Sequence, residues 1–171
     1  LRLSPLQSHS PLLTYLLTFS CYGLWLPGDA RGSVERKRGT HRGGAIPPSI
    51  QLRDYAKSAL HNPAKPLTPT EAAVVLNVLQ EVCLHRAWRL RAAHIRTTHV
   101  HVVLDAPADP HKAIALFKAW VTRRLNENGG ASIRWSRGGN AARLSTDAAI
   151  QKAIRYVSTA QGTPMAVYVA E

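Results

Sequence analysis

A chain of 171 residues with 45% apolar content has the size and composition of one soluble globular domain with a real core, which excludes a disordered tail or a membrane span, since no apolar run approaches the roughly 20 residues a bilayer needs. Lys and Arg number 22 against 10 Asp and Glu, a net charge of +12 carried mostly by arginines, which points first to phosphate-rich nucleic acid and only second to a polybasic membrane contact or plain solubility. Cys21 and Cys83 lie far apart without Cys-x-x-Cys spacing, which excludes a zinc ribbon or a disulfide framework and makes a reducing cytoplasm the expected location.

The whole chain, 1–171, reads as a single domain. Residues 1–13 form a loose leader, and Thr14 to Tyr22, rich in Thr, Leu and aromatics, is a strand candidate. Gly23 to Gly32 is turn-rich. Residues 31–50 carry Arg31, Arg36, Lys37, Arg38, His41 and Arg42 among glycines and read as a flexible basic loop. Thr68-Pro69-Thr70-Glu71 opens a helix whose apolar positions Val74, Val75, Val78, Leu79, Val82 and Cys83 repeat at helical spacing to about Ala87. Two strands follow, Trp88 to Ile95 and Thr98 to Asp105, joined by a tight turn. Asp109-Pro110 caps a second helix with Ile114, Phe117, Trp120, Val121 and Leu125 on its apolar face, ended by Asn128-Gly129-Gly130. Ile133 to Trp135 is a short strand candidate before a loop over 136–140. Thr146-Asp147 opens a third helix over Ile150, Ile154 and Val157, closed by Gly162-Thr163-Pro164, and Met165 to Val169 is a short apolar tail. The order β-α-β-β-α-β plus a helix predicts an α+β, ferredoxin-like antiparallel sheet with two helices on one face.

His99-Val100-His101 lies inside the third of these strands. Residues two apart on a strand share a face, so both imidazoles project one way, and if two helices cover the other face a ligand can reach them. Paired imidazoles suit a divalent metal or a polarised phosphate oxygen, although two solvated histidines are the plainer reading. Tyr156 lies about 100–160° round the last helix from its buried stripe, which places it at the rim. A phenol beside a metal on a basic domain suits attack on a phosphodiester, while a packing aromatic is the ordinary alternative.

Thr18 to Val34, with Tyr22-Gly23-Leu24-Trp25-Leu26-Pro27-Gly28-Asp29-Ala30-Arg31-Gly32 at its centre, resembles the N-terminal signature of REP-associated tyrosine transposase-like proteins, a single-tyrosine branch of the His-hydrophobic-His nuclease superfamily. His99-Val100-His101 matches the motif that names the superfamily, Phe117 to Leu125 resembles the helix that follows it, and Ile154-Arg155-Tyr156-Val157 falls where the family keeps its tyrosine. The resemblance runs from about residue 14 to 169. It implies that His99 and His101 hold one Mg²⁺ or Mn²⁺ and that Tyr156 attacks the phosphate to give a 5′-phosphotyrosine link and a free 3′-hydroxyl. The implied partner is single-stranded or hairpin DNA, with no membrane partner, in a monomer or a homodimer of the bacterial cytoplasm near the nucleoid. Candidate DNA contacts are Arg31, Arg36, Lys37, Arg38, Arg42, Lys118, Arg123, Arg124 and Arg155.

One position departs from the family. Its relatives place a glutamine one helical turn after the tyrosine to complete the metal site, whereas here Ala160 stands four after Tyr156 and Gln161 five after. On an ideal helix Gln161 then points some 140° away from Tyr156. Either the helix loosens before Gly162, or the geometry differs in this branch, or another group such as His94 or Asp105 serves. Gln161 is the third ligand taken forward. Two other functions compete with strand transfer: a domesticated protein that binds repeat hairpins without cutting, and a ferredoxin-like RNA-binding module, which would need surface aromatics on adjacent strands.

Overall fold

The structure, a computed structural model, describes residues 12–34, 44–106, 109–127 and 132–171. Along the chain lie β1 (Leu13–Ser20), β2 (Ser33–Val34), β3 (Ala45–Ile46), α1 (Ile50–Ser58), α2 (Pro69–Arg86), β4 (Arg89–Ile95), β5 (His99–Ala106), α3 (Pro110–Asn126), β6 (Asn140–Leu144), α4 (Asp147–Thr159) and β7 (Ala166–Val169). The main sheet runs β6-β1-β5-β4-β7, antiparallel at every junction. Its first four positions are the ferredoxin-like order, with β5 at the centre, and β7 adds an edge strand.

Alternation decides which side each strand buries. Tyr15, Leu17 and Phe19 of β1 and Val100, Val102, Leu104 and Ala106 of β5 enter one core with α2 and α3. There α2 contributes Val75, Val78, Leu79 and Val82, and α3 contributes Ala113, Ile114, Phe117, Val121 and Leu125. Each fully buried Leu or Phe in it is worth about 1.5–3 kcal/mol of transfer free energy. A capping box starts α2: Glu71 N–H donates to Thr68 Oγ1 at 3.2 Å, and Thr68 N–H donates to the Glu71 carboxylate at 3.0 Å. Trp120, expected in the apolar stripe of α3, is exposed and meets the ring of His85 instead.

Three expectations change. The strand over Ile133 to Trp135 reduces to one bridge between Trp135 and Cys21. Arg134 there is buried, pairing with Glu71 and donating to Asn126 Oδ1, so its side chain ties α2 to the end of α3. The strand that completes the ferredoxin order is β6, in residues read as the end of a loop and its exit. The apolar tail after Pro164 is β7, paired with β4. The basic loop contains β2, paired with β3, and is followed by α1, a helix the sequence reading did not contain. The leader's residues 1–11, loop residues 35–43 and Asn128-Gly129-Gly130 lie outside the described residues. No helix among the described residues is long and apolar enough to cross a membrane.

Candidate active site

The face of β5 turned away from α2 and α3 carries His99, His101, Val103 and Asp105. Register sets the neighbours of His101: Thr18 lies across from it on β1 and His94 across from it on β4. Asn140 extends this row beyond Thr18, and Val167 extends it beyond His94. Both paired imidazoles are buried, with ring centroids 4.7 Å apart and planes at 85°. Thr18 Oγ1 lies 2.8 Å from His101 Nδ1, and Thr98 Oγ1 lies 2.8 Å from His99 Nδ1. One nitrogen of each ring is therefore engaged by a threonine hydroxyl, the arrangement that fixes a tautomer and directs the other nitrogen to a ligand.

Burial is the main cause that pushes both rings down to about 4, so both are neutral at pH 7 with a lone pair to offer. For His99 the cations Arg96 and Arg31 add to the effect, and for His101 the neighbouring His99 and His94 do.

Helix α4 lies over part of this face. Thr146 Oγ1 caps it by accepting from Ala149 N–H at 3.2 Å. Its buried residues Ile150, Ala153 and Val157 make the apolar stripe; Ala153 and Val157 pack on Ala92 and Val103. Tyr156 falls at the rim, 44% exposed, with its ring centroid 5.9 Å from that of His101 and the planes at 75°. The helix is anchored beside the tyrosine: His94 Nδ1–H donates to the Val157 carbonyl at 2.8 Å. That carbonyl is one of the last four of α4, which have no partner inside the helix. His94 is fully buried and its Nε2 has no partner.

The spacing problem at Gln161 resolves in the chain's own geometry. Helix α4 ends at Thr159 and Ala160 is its cap, at φ −101° and ψ 7°, so Gln161 is outside the helix and the 140° offset does not apply. Gln161 is buried, and its side chain acts on His101, offsetting a small part of the burial that pushes that ring down. Gly162 follows at φ +73°, a left-handed conformation that turns the chain back toward β7. A side chain there would also start 3.5 Å from the Arg96 guanidinium, which brings Arg96 to this corner. Asp105, the other alternative, is engaged elsewhere: Arg91 Nε donates to both carboxylate oxygens at 2.8 and 2.9 Å, and the Thr14 hydroxyl donates to one of them.

His99, His101, Tyr156 and Gln161 thus converge. Two neutral imidazoles and a carboxamide form a mixed nitrogen and oxygen donor set, and no group of three His, Cys, Asp or Glu with metal-holding geometry exists among the described residues. The set fits a divalent cation that keeps open positions for water or phosphate oxygen.

The candidate DNA contacts do not converge in the same way. Arg155 is exposed on α4 next to Tyr156. Lys118, Arg123 and Arg124 lie on α3, across the sheet from the histidines. Lys118 donates to the carbonyls of Ser136 and Gly138, and Arg124 pairs with Glu81 at 2.9 Å. Arg31 pairs with Asp29 at 2.7 Å, and Arg36, Lys37, Arg38 and Arg42 lie outside the described residues. Thr18, Arg96 and Trp25 are site residues the sequence reading missed. Arg96, two residues before Thr98-His99, was visible as a cation at the strand's entrance, while Thr18 needed the β1–β5 register. Trp25 lies against His99, ring centroids 5.8 Å apart.

No family model matches the chain, and no curated protein matches it. Among solved structures, the chain is similar to a REP-associated tyrosine transposase bound to a REP hairpin, with TM-score 0.46 and 10% identity over 91% of this chain and 70% of that one. It is also similar to a protein of Deinococcus radiodurans R1 named as a transposase, with TM-score 0.44 and 12% identity over 88% of this chain and 92% of that one.

Proposed function

We propose that the chain is a metal-dependent single-stranded DNA endonuclease and strand transferase that acts through a 5′-phosphotyrosine link at hairpin or repeat-like DNA. The observation that supports this most is the convergence on one imidazole: the Tyr156 ring lies 5.9 Å from that of His101, and the buried Gln161 side chain acts on the same ring. Held by His99, His101 and Gln161, a Mg²⁺ or Mn²⁺ would polarise the scissile phosphate as a Lewis acid. Tyr156 Oη attacks phosphorus, forming an oxygen–phosphorus bond as the bond to the 3′ oxygen breaks. The phenol loses its proton and the departing 3′ oxygen gains one. Because one phosphoester replaces another, a different 3′-hydroxyl can reverse the step and join strands without a nucleotide cofactor.

The chain's own residues prepare this step. Thr18 and Thr98 orient the imidazoles, His94 holds the last turn of α4 against β4, and Arg96 supplies positive charge beside the pair. Tyr156 meets His101 of its own chain, which supports a tyrosine that acts within its own subunit. The test is to incubate the protein with labelled single-stranded hairpin DNA and Mn²⁺ and to separate the products under denaturing conditions. A covalent adduct that disappears in Tyr156→Phe is the expected result. Hairpin binding with no adduct would reject strand transfer in favour of a non-cleaving hairpin binder, and an adduct that survives Tyr156→Phe would reject the nucleophile.

A further inference from the structure

The loop after β1 is tightly built. Gly28 sits at φ +82°, and a side chain there would start 2.5 Å from the Ser49 carbonyl oxygen, so only glycine lets this loop close on the start of α1. Asp29 accepts from Arg31 Nε at 2.7 Å and from Arg31 Nη2 at 2.8 Å, and Nη2 also donates to the Leu24 carbonyl at 3.0 Å. The guanidinium carbon stands 4.6 Å from the centroid of the Trp25 ring. Trp25 is itself fixed by donating from Nε1 to the Gly32 carbonyl at 2.8 Å. The Trp25 ring meets His99 at 5.8 Å, so a continuous line of contacts runs from His101 through His99 and Trp25 to Arg31.

Arg31 is therefore a poor phosphate fork. Its Nε–Nη2 edge is occupied by a carboxylate that also offsets its charge, and the second Nη2 proton, which the Nη1–Nη2 edge would use, goes to the Leu24 carbonyl, so neither edge offers two protons to a phosphate. What remains is a flat cation, held on an aromatic ring and with its side chain 44% exposed. Guanidinium planes and aromatic rings are the surfaces on which unpaired bases stack.

We propose that Trp25 and Arg31 form a stacking platform for an unpaired nucleobase of single-stranded DNA, the base flanking the phosphate that lies at His99 and His101. This rests on the reading of the histidine face as a DNA-cleavage site and adds to it a contact made through a base and not through a phosphate. Stacking of this kind tolerates any base, so the platform holds the strand in place without selecting its sequence. Asp29 is a positioning residue in it, since it acts by holding Arg31 in plane.

The test compares two 12-nucleotide single strands, one of oligo-dT and one of the same length with an abasic run at its centre, binding in EDTA so that no metal contributes. Wild type is expected to bind oligo-dT about tenfold more tightly than the abasic strand. Arg31→Lys keeps the charge and loses the plane; it should lose most of that preference with unchanged affinity for the abasic strand. Trp25→Ala should do the same, and thermal melts show whether each variant is folded. The platform is overturned if wild type binds both strands equally, if Arg31→Lys keeps the preference, or if it weakens both strands alike, which is the mark of a phosphate contact. Base preference in a protein that never forms the Tyr156 adduct would leave the platform standing and remove the cleavage reading. Adduct formation without base preference would do the reverse.

Discussion

The two faces of the central sheet are built from alternate residues of the same strands, yet they obey different rules. On one, Val100, Val102 and Leu104 meet α2 and α3 in a continuous apolar core. On the other, His99, His101 and Asp105 stand where the pattern would put apolar side chains, and the cover is a single helix whose apolar contact is small: Ala153 and Val157 on Ala92 and Val103. The first face is held by area removed from water. The second is held by directed hydrogen bonds, among them His94 to the Val157 carbonyl and Thr18 to His101. A face held by a few directed bonds can present polar groups to a ligand, and it is also where one lost bond displaces a reacting group.

That contrast separates the effects of substitutions. Phe117→Ala on the apolar face should cost about 3–5 kcal/mol of stability, read by denaturant unfolding, while the adduct rate per folded molecule stays unchanged. A changed rate with stability intact would break the division between the faces. His94→Leu on the polar face leaves the Val157 carbonyl without its partner, an expected loss of about 1–3 kcal/mol. It should also slow adduct formation by roughly 10- to 100-fold, because the turn carrying Tyr156 loses its anchor. The hairpin Kd should hold. A stability loss with a normal adduct rate would make His94 merely structural.

The smallest effect lies in the loop that carries Arg31. The hydrogen bond from Arg31 holds the Asp29 carboxyl at about 2, below its usual 3.8. The pair's stabilisation is therefore complete well above 3.8 and is lost as the pH falls through about 2. Solvent screening of this surface pair keeps the worth of the contact below about 1 kcal/mol. Asp29→Asn should therefore lower the melting temperature slightly at pH 7, with most of that difference gone at pH 2. An equal difference at both values would show that the carboxylate's charge is not what holds Arg31.

The sequence was most legible where one face of an element is buried and periodic. Helices α2, α3 and α4 and strand β1 carry such stripes; β4 and β5 are buried on both faces and were legible as strands from their composition, and the His-Val-His pair was assigned its face from alternation and the expected helix cover. Helix α1 has no buried residue, so it left no stripe to read. Strand β6, Asn-Ala-Ala-Arg-Leu, is a half-exposed edge strand without apolar alternation, while the nearby Ile133-Arg134-Trp135 imitates a strand around an arginine that is buried by its partners. The ideal-helix offset of Gln161 fails because α4 ends at Thr159, in line with the alternative that the helix loosens before Gly162. Thr18 could not be linked to His101 because pairing register is a property of two strands 83 residues apart.

The central claim is that the tyrosine of α4 and the histidines of β5 act as one centre. The most direct measurement is to trap the adduct with labelled hairpin DNA and Mn²⁺, trim it with nuclease and protease, and locate the nucleotide remnant by mass spectrometry. The account predicts a remnant on Tyr156 and none in His101→Ala. A remnant on Tyr22, Tyr55 or Tyr168, or strand cleavage with no remnant on any tyrosine, would contradict it.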